Sequence, residues 1–442
     1  MKYVEQVKSF ILLFLVLLSL LFTFLIWNYK PNYLTTEDTQ KNREVVSEEK
    51  KLLAEVIKPY RLLFSTEGGF KGTSSNEEVD AFTHYLNKLG AKNLSIMDAP
   101  ISENEINEMI RTKSQMTMFF QTEVPIQTLY EIFSLEEARE NEASFNRLII
   151  DWKTIRENGH AQLYFLSTND QSGYRADLAI PNIEAFEQLF VEKPKSLPAY
   201  VEFERQRNLS LYLVEEPLKV SQYEYYKDEI PVDKLKSILF EDPAIAQKTS
   251  EGVQDKYSDS MSQLMLDTNM KVMNYVYPAA ESSAPVTRYE LLKDTFDFIN
   301  EHHGFTGDYR LTSMNTERRV VEYQLYWQGY PVFGSTEPLT RLITTWGDED
   351  IYRYRRPYYL LDSEVFERSI KELEAGKDII EHIKAANEVN LSKVDDIVIG
   401  YYLTENVEKK VYEMEPGWFI LRDNSWTPLI MELWGGNEYG LE

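Results

Sequence analysis

The sequence predicts an α+β protein: an N-terminal transmembrane helix followed by a multi-domain ectodomain of helices packed on mainly antiparallel sheets, with the C-terminal domains related in topology. Three observations predict it. A run of 19 residues without a charge lies near the N-terminus; beyond it, short strand-like runs and amphipathic helical stretches alternate without a βαβ rhythm. Towards the C-terminus a pattern of one helix followed by several tightly turned strands recurs, as related modules do.

The uncharged run extends from Ser9 to Trp27, SFILLFLVLLSLLFTFLIW. At about 1.5 Å per residue it covers about 28 Å, close to one hydrocarbon core. Tyr3 on one flank and Trp27 and Tyr29 on the other stand where interfacial aromatics belong, and the run ends in bulky residues rather than at a small-residue cleavage site. Lys2 and Lys8 put the short leader in the cytoplasm by the positive-inside rule. The expected layout is residues 1–8 cytoplasmic, 9–29 a single-pass span in the cell membrane, 30–51 a polar linker, and the remainder extracytoplasmic. Ser19 and Thr23 are four apart on one helical face, a small-xxx-small pattern that suits contact with another membrane helix; the alternative is that each hydroxyl bonds its own i−4 carbonyl.

In the N-terminal ectodomain, residues 52–220, VIKPYRLLF reads as a strand, NEEVDAFTHYLNKLG as a helix ending at Gly90, and NLSIMD as a strand. SENEINEMIRTK reads as a helix with a capping box, Ser102 at the N-cap and Glu105 three residues on. SQMTMFF, FNRLIIDW, AQLYFLST, YRADLAI, LPAYVEF and LSLYLVEE follow as strands. A central α+β domain, 221–286, has the helix PVDKLKSILF and the strands SMSQLMLD and NMKVMNYVYP. The C-terminal α+β domain, 287–442, opens with the helix RYELLKDTFDFINEHHG. Four strand-like runs lead on to two further helices, SEVFERSIKELEAG and DIIEHIKAANEV, and then to VDDIVIGYYL, KKVYEME, GWFILRD and WTPLIME.

The formal net charge of −25 repels nucleic acid and anionic headgroups alike, leaving proteins or small ligands as partners and the anchor as the hold on the membrane. There is no cysteine, which removes disulfides, thiolate nucleophiles and cysteine-ligated zinc. His84, His160, His302, His303 and His382 are scattered and form no H-E-x-x-H. His302 and His303, just before Gly304, suit a helix C-terminus. No G-x-S-x-G elbow, Walker A loop or G-x-G-x-x-G fingerprint occurs, and the S-x-x-K at Ser47–Lys50 lacks its S-D-N and K-T-G companions. Asp348-Glu349-Asp350 after Gly347 reads as a hairpin turn rather than a calcium loop, and Gln328-Gly329 also suits a turn. These readings predict no catalytic residue, no metal and no cofactor.

Candidate interface residues come from two aromatic runs: Tyr223, Tyr225 and Tyr226, and the basic string Tyr352, Arg353, Tyr354, Arg355 and Arg356. Tyrosine and arginine are common interface anchors, and the second run is the most basic stretch of an acidic chain. Its alternative is an edge strand whose arginines discourage aggregation.

The strings WNYKPNY (Trp27–Tyr33), FINEHHGFTGDYRL (Phe298–Leu311), QGYPVFG (Gln328–Gly334), IGYYL (Ile399–Leu403) and PGWFI (Pro416–Ile420) carry a resemblance. In these and in its layout the chain resembles the YycH (WalH) family of regulators of the YycFG (WalRK) two-component system. The resemblance implies a three-domain ectodomain whose two C-terminal domains share a topology. It also implies two partners, a YycI (WalI)-like anchored protein and a YycG (WalK)-like sensor histidine kinase met through transmembrane helices. The other reading is an extracytoplasmic ligand-binding or cell-wall-acting enzymatic module, with an aromatic groove as its site.

Overall fold

Short apolar-rich runs form the strands, which sort mainly into two large sheets that divide the sequence near residue 216, with one separate two-stranded pair. The chain forms two compact units, Met1–Val46 and Ser47–Glu442. The computed structural model describes residues 50–429 apart from 140–141, 206–207, 362, 366–368, 387–389 and 423–424, together with Ser19. The expected membrane span at 9–29 therefore lies, Ser19 excepted, outside the described residues. Among those that are described, no helix is long and apolar enough to cross a membrane.

The first sheet holds β1 (Arg61–Thr66), β2 (Gly69–Thr73), β3 (Ala91–Ile96), β4 (Gln115–Pro125), β5 (Ser144–Asp151), β6 (His160–Ser167), β7 (Ser172–Ala179), β8 (Ala199–Phe203) and β9 (Leu211–Val214). Their order is β3-β7-β6-β5-β4-β1-β2-β8-β9, antiparallel throughout. Helix α1 (Asn76–Leu86) packs through Phe82 against Phe64 of β1 and against Phe190, with ring centres 5.0 and 5.2 Å apart. Phe186 and Phe190 stack at 4.3 Å and close this aromatic core. Helix α2 (Glu103–Arg111) has the expected capping box, with Ser102 Oγ accepting from Glu105 N and Glu105 Oε2 accepting from Ser102 N.

Two local expectations are corrected here. Helix α1 stops at Leu86 with Asn87 as its cap, so Gly90 is not the terminating residue. Residues Leu53–Val56 make a helical turn, and the first strand begins only at Arg61, after Pro59, whose missing N–H cannot serve a ladder.

The second sheet starts with β10 (Leu218–Tyr226), so the expected domain boundary at 220/221 falls inside a strand. After β11 (Asp228–Glu229) come α3 (Val232–Leu239) and a meander of β12 (Gln247–Glu251), β13 (Gln254–Ser258), β14 (Gln263–Asp267) and β15 (Val272–Val276). Helix α4 (Arg288–Glu301) precedes β16 (Asp308–Asn315), β17 (Val320–Trp327), β18 (Tyr330–Gly334), β19 (Arg341–Trp346) and β20 (Ile351–Pro357). Strands β16, β17, β19 and β20 form a second meander, from which β18 branches as a hairpin. The two helix-and-meander modules join side by side where β15 pairs with β20, which is the topological repeat read from the sequence.

After β21 (Tyr359–Leu360), the rest comprises β22 (Ser369–Leu373), α5 (Gly376–Ala386), β23 (Asp396–Asn406), β24 (Val411–Arg422) and β25 (Ser425–Pro428). Strand β23 pairs in parallel with β18, and β24 pairs with β10, so the end of the chain closes the sheet that its middle began. The expected helix SEVFERSIKELEAG is corrected: Ser369–Leu373 is a strand against β10, with Leu373 buried and Ile370 exposed. Pairing to an open edge outweighs the helix propensity of Lys and Glu. KKVYEME and GWFILRD are one continuous strand, β24.

Candidate functional site

Both sheets lie within one compact unit, and buried arginines bind the first to the second. Arg61 opens β1 and Asp396 opens β23; they are 3% and 6% exposed, and Arg61 Nη2 lies 3.3 Å from Asp396 Oδ1. Arg61 Nη2 also donates to Ile397 O at 3.1 Å, and the Tyr60 hydroxyl donates to Asp396 Oδ2. Burial, together with the Asp396 charge, pushes the Tyr60 phenol well above its ordinary value.

Arg310 on β16, 1% exposed, reaches the first sheet from the other side. It donates through Nη1 to Pro59 O at 3.1 Å and through Nη2 to Asn76 Oδ1 and Asp308 Oδ2, with the Tyr326 ring 4.3 Å away. Burial raises the Asp308 carboxyl, yet the Arg310 guanidinium outweighs it and holds the group below the usual carboxylate range. Between β17 and β18, Gln328 (φ 51°) and Gly329 (φ 89°) make the expected turn. The tip of that turn presses on Ser74–Asn76, and a methyl group at Gly329 would overlap the Ser74 carbonyl.

The two sheets leave a cleft of about 630 Å³. Its walls come from the bulged part of β4 (Phe120–Glu123), Asn146 and Arg147 of β5, Thr168 and Asn169 of the β6–β7 turn, Thr312–Met314 of β16, and Trp426. Further round, Arg205 donates to the carbonyls of Leu209, Leu391 and Val394, while Asn208 Nδ2 donates to Ser392 O at 2.7 Å. Arg288, the first residue of α4, crosses to Ser144 Oγ and Asp170 Oδ2 at 2.8 and 3.2 Å. Glu123 is 5% exposed; Oε1 accepts from Ser167 Oγ at 3.0 Å, Ser144 also hydrogen-bonds the carboxylate, and burial raises its carboxyl. The lining has no histidine, lysine or cysteine. Among the described residues no group of three His, Asp or Glu could hold a metal ion.

The aromatic runs are placed differently from the sequence reading. Tyr223 and Tyr225 are buried, with Trp327 at 6.0 and 5.2 Å and Tyr401 5.8 Å from Tyr223; of the three only Tyr226 is exposed. Strand β20 lies inside the sheet, between β15 and β19, so the edge-strand alternative is corrected too. Tyr354 and Arg356 are each 1% exposed: Tyr354 meets Phe298 at 5.5 Å, and Arg356 donates to Gly304 O and Thr306 Oγ1, both at 2.8 Å. Tyr352 and Arg355 are half-buried and Arg353 is exposed. Strand alternation sends every second residue inward, so a run of tyrosine and arginine is half core. The sequence reading passed over Arg61, Arg205 and Glu123, which sit in mixed strings without a motif; Asp396 stood out only as half of an acidic pair with Asp395, and Arg310 only as part of FINEHHGFTGDYRL.

The expected turn at Gly347–Asp350 is present, with Gly347 N donating to Asp350 O at 2.7 Å. His302 caps α4, its Nδ1 2.7 Å from Phe298 O, and His303 takes the left-handed position. Ser19 is helical; Thr23 lies outside the described residues.

Two mainly antiparallel sheets braced by buried arginines around a polar cleft define an α+β protein of fixed internal geometry. The chain belongs to the YycH family: residues 5–193 match the N-terminal domain of YycH protein, and residues 208–433 match its C-terminal domain. The two-component system WalR/WalK regulatory protein YycH of Bacillus subtilis (strain 168) is 22% identical over 444 residues, 97% of each chain. That relative is named as a regulatory protein, not an enzyme. The crystal structure of YycH from Bacillus subtilis shares the fold, with a TM-score of 0.74 at 18% identity, covering 87% of this chain and 98% of that one.

Proposed function

We propose that this chain is a non-catalytic, membrane-anchored regulator of a WalK-type sensor histidine kinase. The observation that carries the reading is the match to a named regulator of the WalR/WalK system over nearly the whole of both chains. The uncharged run Ser9–Trp27 supports a single-pass anchor with the ectodomain outside. The many polar ties between the sheets support an ectodomain that presents fixed surfaces to a YycI-like anchored partner, with Tyr226 and Arg353 the exposed members of the aromatic runs. The anchor, through the face carrying Ser19 and Thr23, biases the kinase's transmembrane helices between two states. A helix contact of about 1–2 kcal/mol shifts such an equilibrium about fivefold to thirtyfold.

The test is kinase output in cells with the intact chain, with Ser19 and Thr23 replaced by leucine, and with an unrelated membrane helix as anchor, at equal expression. The expected result is loss of regulation in both variants while the ectodomain stays at the membrane. Full regulation with the foreign anchor overturns the intramembrane mechanism and moves the search to the ectodomain surface.

A further inference from the structure

Two arginines of the cleft carry no ion pair among the described residues. Arg147 Nη1 donates to Phe120 O and Asn146 O at 3.2 and 2.8 Å, and its guanidinium lies 4.7 Å from the Phe119 ring centre. Arg205 hydrogen-bonds backbone carbonyls alone, while the charges of Asp396, Asp395 and Glu103 act on it from a distance. Carbonyls occupy donors without neutralising the charge, and burial lowers the pKa of Arg205. The other two guanidinium groups of the lining are neutralised, Arg288 by Asp170 and Arg341 by Glu322 at 2.8 Å.

The same walls hold hydrogen-bonding capacity that the protein does not use. Thr312 Oγ1 and Trp426 Nε1 have no partner, and Thr312 is only 6% exposed. Leaving such groups unmet is destabilising, a penalty that a bound polar molecule relieves. The volume falls within the range of small-molecule sites, about 300–1,000 Å³. Its lining is largely amide, hydroxyl and charged, so the occupant that fits is polar on all sides and not an apolar effector. The Arg147 guanidinium, which no carboxylate of the described residues pairs, calls for a carboxylate or a phosphate. The net charge of −25 opposes polyanions at a distance, which restricts the ligand to about one acidic group.

We propose that the cleft is a binding site for an acidic saccharide: a hydroxyl-rich ring carrying one carboxylate or phosphate, with Arg147 as its counter-charge. The site goes beyond the regulatory reading, because it gives the ectodomain a chemical input whichever partner reads it.

The test is calorimetric titration of the full-length chain in detergent with four probes: glucuronate, glucose 6-phosphate, glucose and inorganic phosphate. At least one of the two acidic sugars is expected to bind saturably, with a Kd on the order of 0.1–1 mM and about tenfold ahead of glucose and of phosphate alone. The stronger of the two tells carboxylate from phosphate. Arg147→Gln weakens that binding about tenfold, and Ser313→Trp, which fills the cleft from a half-buried wall position and removes no charge, abolishes it. Should Arg147→Gln fail to fold, Ser313→Trp decides alone. The proposal is overturned if neither acidic sugar saturates by about 20 mM, if phosphate alone binds as well, or if the folded variants bind as the parent does. Binding is read without the kinase, so its failure and a failure of the regulatory reading are separate results.

Discussion

The two helix-and-meander modules share an order of elements but not a task. In the first, β12 is a free edge whose five residues are all exposed, and the module's core is confined to residues such as Leu264, Leu266 and Met273 with Leu235 of α3. In the second, β16 lies against β4 and carries Arg310, and the β17–β18 turn presses on the loop before α1. The comparison teaches that topology alone does not decide where stability or function resides. One copy spends its leading strand holding the first sheet, while the other leaves its own open.

The comparison predicts a graded set of effects. Arg310→Met breaks the strongest tie and leaves Asp308 without its counter-charge, so denaturant unfolding should show a loss of about 3–5 kcal/mol. The pH dependence has a definite sign. Because the folded Asp308 pKa is lowered, its contribution is fully present above the unfolded value, about 3.9, and is lost as pH falls through the folded value. The gap between Arg310→Met and the parent should therefore narrow in acid, and a gap that stays constant there would falsify the Asp308 assignment. Gly329→Ala combines overlap with Ser74 and a positive φ, with an expected loss of about 2–4 kcal/mol in the same measurement.

A smaller effect of opposite direction belongs to β4. The folded Glu123 pKa is raised, so stability attached to it is fully present below the unfolded value, about 4.3, and is lost as pH rises through the folded value. Glu123→Gln should be more stable than the parent by about 1 kcal/mol at neutral pH and lose that advantage near pH 4, read from melting curves across the range. In the free module, Thr249→Ala on β12 should stay within about 0.5 kcal/mol of the parent. A larger loss would show that the exposed edge is not free.

Much of the strand framework was legible, because FNRLIIDW and AQLYFLST are short apolar-rich runs bounded by polar turns and become β5 and β6. The Ser102–Glu105 box, the Gln328-Gly329 turn and the His302–His303 helix end were legible too, since each is set by local hydrogen bonds or φ preference. What escaped was decided at long range. Residues 369–373 read as helix from their Lys and Glu content and became a strand because β10 offered an edge. Tyr354 and Arg356 read as surface, but β20 has neighbours on both sides. Arg61, Arg205 and Arg310 matter through carbonyls and carboxylates brought in from distant parts of the chain, and no spacing in the sequence announces such partners.

The pairing of β10 with β24 bears on how the protein is made. A chain that emerges N-terminus first can complete its first sheet as soon as residue 214 is clear, since every strand of that sheet is then present. Strand β10 comes next, yet its ladder partner is among the last residues to arrive. Until then Val220, Tyr223 and Tyr225, all buried in the finished protein, lack part of their surroundings, so cells that delay or truncate the C-terminus should accumulate a half-assembled, aggregation-prone form whose N-terminal sheet is already in order.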